Sequence, residues 1–157
     1  MLGDVALYGA ATGAGAAPAD PGGAGGVGAP LPLKRAVVLL IDRSDASRRQ
    51  LKNHCEVLAR LRKRAPNAEY IEFRGSEVSL REQIKAFARA DFVVGPHGAA
   101  LGLVGFMKPG GAVIEVAYRH KTWPAVFMPV ALGAGQCHVL FLYACPVSDA
   151  MFTVGSR

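Results

Sequence analysis

Short apolar runs alternate with stretches of helical periodicity from residue 36 onward. Ala36 to Ile41 reads AVVLLI, continuous and flanked by charge. A run of that kind suits a strand covered on both faces, as in a parallel sheet. Ala68 to Phe73 alternates, Asp91 to Val94 is a third strand, AVIEV over 112–116 a fourth, and CHVLFLY over 137–143 a fifth.

The intervening segments read as helices. The first is capped by Asp45 or Ser47 and carries Leu51, Cys55, Leu58 and Leu61 on one stripe, with Arg49, Asn53 and Glu56 opposite; Pro66 ends it. The second opens on Ser79 with Glu82 at capping-box spacing, and Leu80, Ile84, Phe87 and Ala88 form its stripe. A small-residue helix follows Gly98-Ala99. A fourth runs from a Thr122 cap through WPAVFMPVALG to Gly133, with Pro129 as a kink. Strands alternating with helices predict an α/β, Rossmann-like parallel sheet with helices on both faces. Ligands of such sheets sit at the carboxyl ends of strands. Arg43, His97 and Glu115 all fall one or two residues from predicted strand ends, or on one.

Residues 1–33 break the pattern. Twenty-two of them are Gly, Ala or Pro, too little apolar surface to offset ordering entropy. They read as a disordered tail or linker, leaving 34–157 as one Rossmann-like domain. Hydrophobic residues make up 51% of the chain, ordinary for a folded core. The formal net charge of +6 is local: ten Lys/Arg between Lys34 and Arg64 face only Asp42, Asp45 and Glu56. No aromatic residues interleave with them as single-strand stacking needs, so no nucleic-acid partner is expected. Cys55, Cys137 and Cys145 have no metal-ligand spacing and read as buried small hydrophobes, with a Cys137–Cys145 disulfide the alternative. The chain shows no membrane span and no visible signal peptide.

The chemistry concentrates in Asp91–Glu115. Gly95-Pro96-His97-Gly98-Ala99 lies between a strand and a helix, where glycines admit close approach and helix-start N–H groups favour an anion. His97 can donate to a phosphate or sugar oxygen; the same residues also suit a tight turn with a capping histidine. Glu115 can accept both hydroxyls of a ribose, or pair with a basic side chain as an ordinary sheet-end acid. Arg43 can neutralise a diphosphate through its donor fork, or be a solvated loop arginine. Lys108 and Lys121 are weaker candidates, and His54 and His138 read as structural. No acidic pair is available to hold a metal on a diphosphate, so no metal cofactor is expected.

Arg43, Arg49, Asn53, Glu56, Gln83, His97-Gly98-Ala99, Phe106-Met107-Lys108-Pro109-Gly110 and Val113-Ile114-Glu115 occur in that order. This ordered set resembles glycosyltransferase family 61, which includes plant xylan xylosyl- and arabinosyltransferases and animal N-acetylglucosaminyltransferases. The resemblance implies the C-terminal, donor-binding half of an inverting GT-B transferase. Its donor would be a UDP-sugar carrying a pentose or N-acetylhexosamine, and its acceptor a glycan or glycoprotein. It implies diphosphate contacts from Arg43, Arg49, Asn53, Gly95, His97, Gly98 and Ala99, ribose contacts from Glu115, and His97 as the catalytic candidate. It also implies a Golgi or endoplasmic reticulum lumen location. Leu101-Gly102-Leu103 departs from the polar residues family members often carry there. A non-catalytic nucleotide-sugar-binding module is the alternative.

Overall fold

A computed structural model describes residues 5–8, 35–118, 126–143 and 151–152. The strands are β1 (Val5–Tyr8), β2 (Val37–Ile41), β3 (Gln50–Leu51), β4 (Glu69–Phe73), β5 (Phe92–Pro96), β6 (Ala112–Tyr118), β7 (Cys137–Tyr143) and β8 (Met151–Phe152). The helices are α1 (His54–Arg64), α2 (Leu80–Arg89) and α3 (Phe127–Gly133), with 3-10 turns at Gly75–Glu77 and Ala99–Phe106.

One sheet runs β1-β7-β6-β5-β2-β4, and β3 pairs separately with β8. The five strands β4, β2, β5, β6 and β7 are mutually parallel, while β1 joins the far edge antiparallel to β7. All five apolar runs are therefore strands of one α/β, Rossmann-like sheet. Of the stretch 1–33, the segment Val5–Tyr8 is this edge strand, and the rest lies outside the described residues.

Alternation along β2 builds both faces. Leu39 and Ile41 pack with Phe73, Phe87, Val93, Leu101, Val104, Val113 and Ala131, under α2, the 99–106 turn and α3. Val38 and Leu40 point the other way, onto Leu58 with Val57 and Leu61 of α1. Helices thus cover both faces, and β2 is buried along its whole length. The ring of Phe87, fully buried, meets Phe73 edge-on at 5.1 Å. Truncating such a ring typically costs about 3–5 kcal/mol.

In chain order the parallel strands lie second, first, third, fourth, fifth across the sheet. From β2 the chain moves outward to β4, and from β4 it returns across to β5. The strand order reverses between β2 and β5, and ligands of such sheets bind outside the carboxyl ends of the strands at a reversal of this kind. Gly95 makes this junction close-packed: a Cβ there would lie 2.6 Å from Ile41 Cβ.

Several local readings change. The helix expected from Asp45 or Ser47 begins only at His54, because Arg49 takes a positive φ of 58° and Gln50–Leu51 pair as β3. Leu51 is consequently buried beside Val116 rather than on a helical stripe. Cys55 falls on the outer side of α1, and both Cys55 and Cys137 are free and exposed rather than buried. Cys137 is the first residue of β7, at an exposed strand end. Cys145, Thr122 and Lys121 lie outside the described residues.

Ser79 does form the capping box with Glu82, but Leu80 is exposed at the first helical position. The small-residue segment after Gly98 is a 3-10 helix, not an α-helix. Gly102 and Gly105 each weaken an α-helix by about 1 kcal/mol, and the i+3 bond from Leu101 N to Gly98 O takes over. Pro129 sits in the first turn of α3, where its missing N–H costs nothing, so it introduces no break. Gly133 is the last helical residue, and Gly135 supplies the left-handed turn that closes the helix. Its φ of 76° lets Gly135 N reach Leu132 O and Gln136 N reach Ala131 O, a Schellman closure.

Candidate functional site

The loop after β2 is tightly self-bonded. Asp42 accepts from Ser44 N at 2.8 Å and from Ser44 Oγ at 3.1 Å. The side chain of Gln50 donates to the carbonyls of Ser44 and Ala46. Buried Leu51 anchors the loop to the sheet. What this small scaffold presents is Arg43 and, from its left-handed backbone position, Arg49. A positive φ is uncommon for arginine and costs about 1–3 kcal/mol, which the loop's own bonds must offset.

Arg43 lies across the turn after β5. A Cβ at position 98 would stand 2.1 Å from Arg43 Nη1 and 2.9 Å from Cζ, so glycine is what lets the guanidinium rest there. Among the described residues neither Arg43 nor Arg49 has a carboxylate ion-pair partner within reach. Arg43 Nη2 approaches only the carbonyl of Arg48, at 3.5 Å, and its Nε is buried with no partner. Burial and then the charge of Arg49 pull the Arg43 pKa below the usual arginine range, against a weaker opposite pull from Asp45. Two half-buried cations held together without a counter-ion make a site for an anion.

Behind this edge lies a buried polar cluster. Glu115 sits on the β6 face that also carries Val113, under the 99–106 turn and α3, and is 2% exposed. Its Oε1 is bound by His97 Nδ1, and its Oε2 lies 2.9 Å from His138 Nε2 on β7. Burial pushes the Glu115 carboxyl up, but hydrogen bonds from His138 and His97, with their charge, outweigh it and hold the group below the usual range. The backbone of His97 is pinned by its N–H to Val116 O at 2.8 Å, and its ring packs on Phe127 of α3 with centroids 5.0 Å apart.

The structure therefore brings Arg43, His97, Gly98 and Glu115 to one edge, with Arg49 beside Arg43. Asn53 stands just before α1, its amide 3.3 Å from Glu56, and not within a helix as expected. Gly95 is explained by packing against Ile41. Gln83 closes the turn after β4 through the carbonyls of Gly75 and Val78. Lys108 lies elsewhere: it precedes β6, at the opposite edge, where Gly110 N bonds to Gly135 O. The Phe106–Gly110 stretch is a turn at that far edge.

Sequence reasoning missed His138 and Phe127. A histidine inside an apolar strand was the available signal, but only the β6–β7 register, with Val113 beside His138, puts it on the face of Glu115. Among the described residues no cluster of His, Cys, Asp and Glu could hold a metal ion, and no helix is long and apolar enough to cross a membrane.

No curated protein matches the chain. The family model of Glycosyltransferase 61 matches residues 27–114, which span β2 to the middle of β6 and include Arg43, Arg49 and the His97 turn. That match covers more than half of the 157 residues, and the chain belongs to the glycosyltransferase 61 family.

Proposed function

We propose that the chain binds the diphosphate of a UDP-sugar at the carboxyl ends of β2 and β5 and takes part in inverting transfer of a pentose or N-acetylhexosamine to a glycan or protein hydroxyl. The observation that carries this reading is Arg43, laid over Gly98 beside Arg49 with no carboxylate partner among the described residues. Family membership supplies a sugar donor and an acceptor in general terms.

In this reading Arg43 and Arg49 neutralise the diphosphate. Gly98 and Ala99 bring backbone close to it, His97 donates to a phosphate oxygen, and Asn53 lies at the same end of the sheet. Transfer forms a bond from the acceptor oxygen to the anomeric carbon on the face opposite the diphosphate. The carbon–oxygen bond to the phosphate breaks, and its electron pair leaves on UDP. The acceptor proton passes to a base on the acceptor side. Arginines and His97 stabilise the departing charge, the work a divalent cation does elsewhere, so no metal is required. Glu115 has both oxygens engaged by imidazoles, which favours a role through His97 over direct ribose contact. A location in the lumen of the Golgi or endoplasmic reticulum is proposed from the family resemblance alone.

Calorimetric titration with UDP tests the site. We expect saturable binding that is unaffected by a chelator and weakened by salt. Absence of both heat and a thermal shift would remove the reading.

A further inference from the structure

The loop of residues 42–49, between β2 and β3, holds an arrangement that its own charges oppose. Arg43 near its start and Arg49 at its end feel each other's charge, and Arg49 stands in the left-handed region with a φ of 58°. Like charges repel, and that backbone conformation is uncommon for arginine. Left to itself, such a loop would part the two cations and let Arg49 relax.

The next residue supplies the opposing force. Gln50 Nε2 donates to Ser44 O at 3.0 Å and to Ala46 O at 2.5 Å. A side-chain amide has two N–H groups, and both are spent on the loop. Ala46 N in turn donates to Arg43 O at 3.0 Å, and Arg43 Nη2 approaches Arg48 O. The chain between the two arginines is therefore folded back onto one side chain. Gln50 is itself fixed from outside the loop. Its backbone belongs to β3, with Gln50 opposite Met151 and Leu51 opposite Phe152 of β8. Leu51 is buried with Val116 of β6, and Val57 of α1 and Phe141 of β7 pack against them. A shift of β3 would break contacts with all four elements.

We propose that Gln50 is a positioning residue for the anion site: held in β3 by β8, its amide braces the 42–49 loop so that Arg43 and Arg49 meet the diphosphate as a pair. The diphosphate clause rests on the donor-site reading; the brace does not. Both donors of Gln50 are taken by loop carbonyls, so its effect on a ligand runs through the two arginines. The pairing of Met151–Phe152 with β3 thereby ties a segment distant in sequence to the cations of the site. Fixing both guanidinium groups before the ligand arrives removes an ordering cost that binding would otherwise meet.

Gln50→Met keeps the length of the side chain and removes both N–H groups. Hydrogen exchange of the ligand-free full chain reads the brace directly. We expect the amides of Ser44 and Ala46 to exchange about tenfold faster in Q50M, with those of Val93 and Val94 in β5 unchanged. UDP affinity by calorimetry should fall about tenfold, and its salt dependence should flatten because the cations no longer meet the ligand together. In an Arg43→Ala background the same change should cost less than about threefold, since the arm through Arg43 is already gone. A residue that only stabilised the fold would lower the melting temperature and leave affinity, salt dependence and additivity unmoved. A folded Q50M that binds UDP like the parent overturns the proposal. So does an equal loss with Arg43 removed, or unaltered exchange at Ser44 and Ala46. If Q50M does not fold, the double variant M151P/F152P decides by the same measurements. It removes both backbone N–H groups of β8 and leaves Gln50 in place, so parent-like exchange and affinity there overturn the proposal. A wild-type chain that ignores UDP would sink the donor-site reading, while the ligand-free exchange still decides whether Gln50 braces the loop.

Discussion

Arg43 and Arg74 sit at the same edge of the sheet, one after β2 and the other after β4, and they are treated in opposite ways. Arg74 has its carboxylates supplied: Nε donates to Asp42 at 3.1 Å, Nη2 bonds the same oxygen, and Nη1 pairs with Glu77. Those hydrogen bonds, from Asp42 first and Glu77 second, raise its pKa above the usual arginine range. Arg43 is desolvated, has a cation for a neighbour, and its pKa moves down. A guanidinium that the protein completes holds two loops together. One that the protein leaves incomplete is poised for something the protein does not contain. The adjacent carboxylate, Asp42, is committed to Arg74, and the pull of Asp45 on Arg43 is outweighed by burial and Arg49.

The sharpest way to break this comparison is to remove each arginine in turn. Arg43→Ala should weaken UDP by about 2 kcal/mol, or about 30-fold, the usual worth of a charge-assisted contact. Its melting temperature should hold or rise slightly, since a desolvated cation beside Arg49 is gone. Calorimetry with a thermal melt measures both, and a large loss of stability with unchanged affinity would make Arg43 structural.

Gly98→Ala acts on the same guanidinium without touching its charge. The new methyl would stand 2.1 Å from Arg43 Nη1, the far end of a flexible side chain, so the arginine swings aside and the fold survives. UDP should bind about tenfold more weakly, with stability within about 1 kcal/mol of the parent. Retained affinity would mean that the placement of Arg43 on the turn is incidental.

Arg74→Ala should do the converse. We expect only a slight drop in the urea unfolding midpoint, because solvent screens this exposed pair, and UDP affinity within about twofold. A large affinity loss would merge the two arginines into one site.

The smallest effect is on pH dependence. Burial alone would raise the Asp42 carboxyl, but bonds from Arg74 and Ser44 outweigh it and set it below the usual carboxylate range. A depressed carboxyl contributes stability that is fully present above its unfolded pKa and is lost as pH falls through the folded value. Glu115 has the same sign through His138 and His97. Stability should therefore decline below about pH 4. Asp42→Asn should flatten part of that decline, checked by urea midpoints from about pH 3 to 7.

The strands illustrate which features a chain declares. β2 is legible because an unbroken apolar run between charges suits burial on both faces, and β5 beside it and β6 beyond carry similar signatures. The start of α1 was not legible. Caps at Asp45 and Ser47 were chemically suitable, yet β8, distant in sequence, pairs with Gln50–Leu51 and holds the segment extended. The 99–106 turn shows a weak local preference giving way: two glycines lower the α-helical advantage enough for a tighter coil to fit the packing.

The site divides along the same line. Arg43, Arg49, His97, Gly98 and Glu115 could be marked from the sequence alone, because residue type and distance from a strand end are local properties. So could membership in a parallel sheet, because alternating apolar runs and helical stripes are periodic. What only the tertiary structure decided is which of these groups are satisfied. Gly98 has its reason in Arg43, fifty-five positions earlier. Asp42 turns away from the neighbouring arginine to one after the next strand. Glu115 proves to be held by two histidines, one of which, His138, reads from its own strand as ordinary core. Satisfaction of a charge depends on register and strand order, and both are set by contacts between segments far apart in the chain.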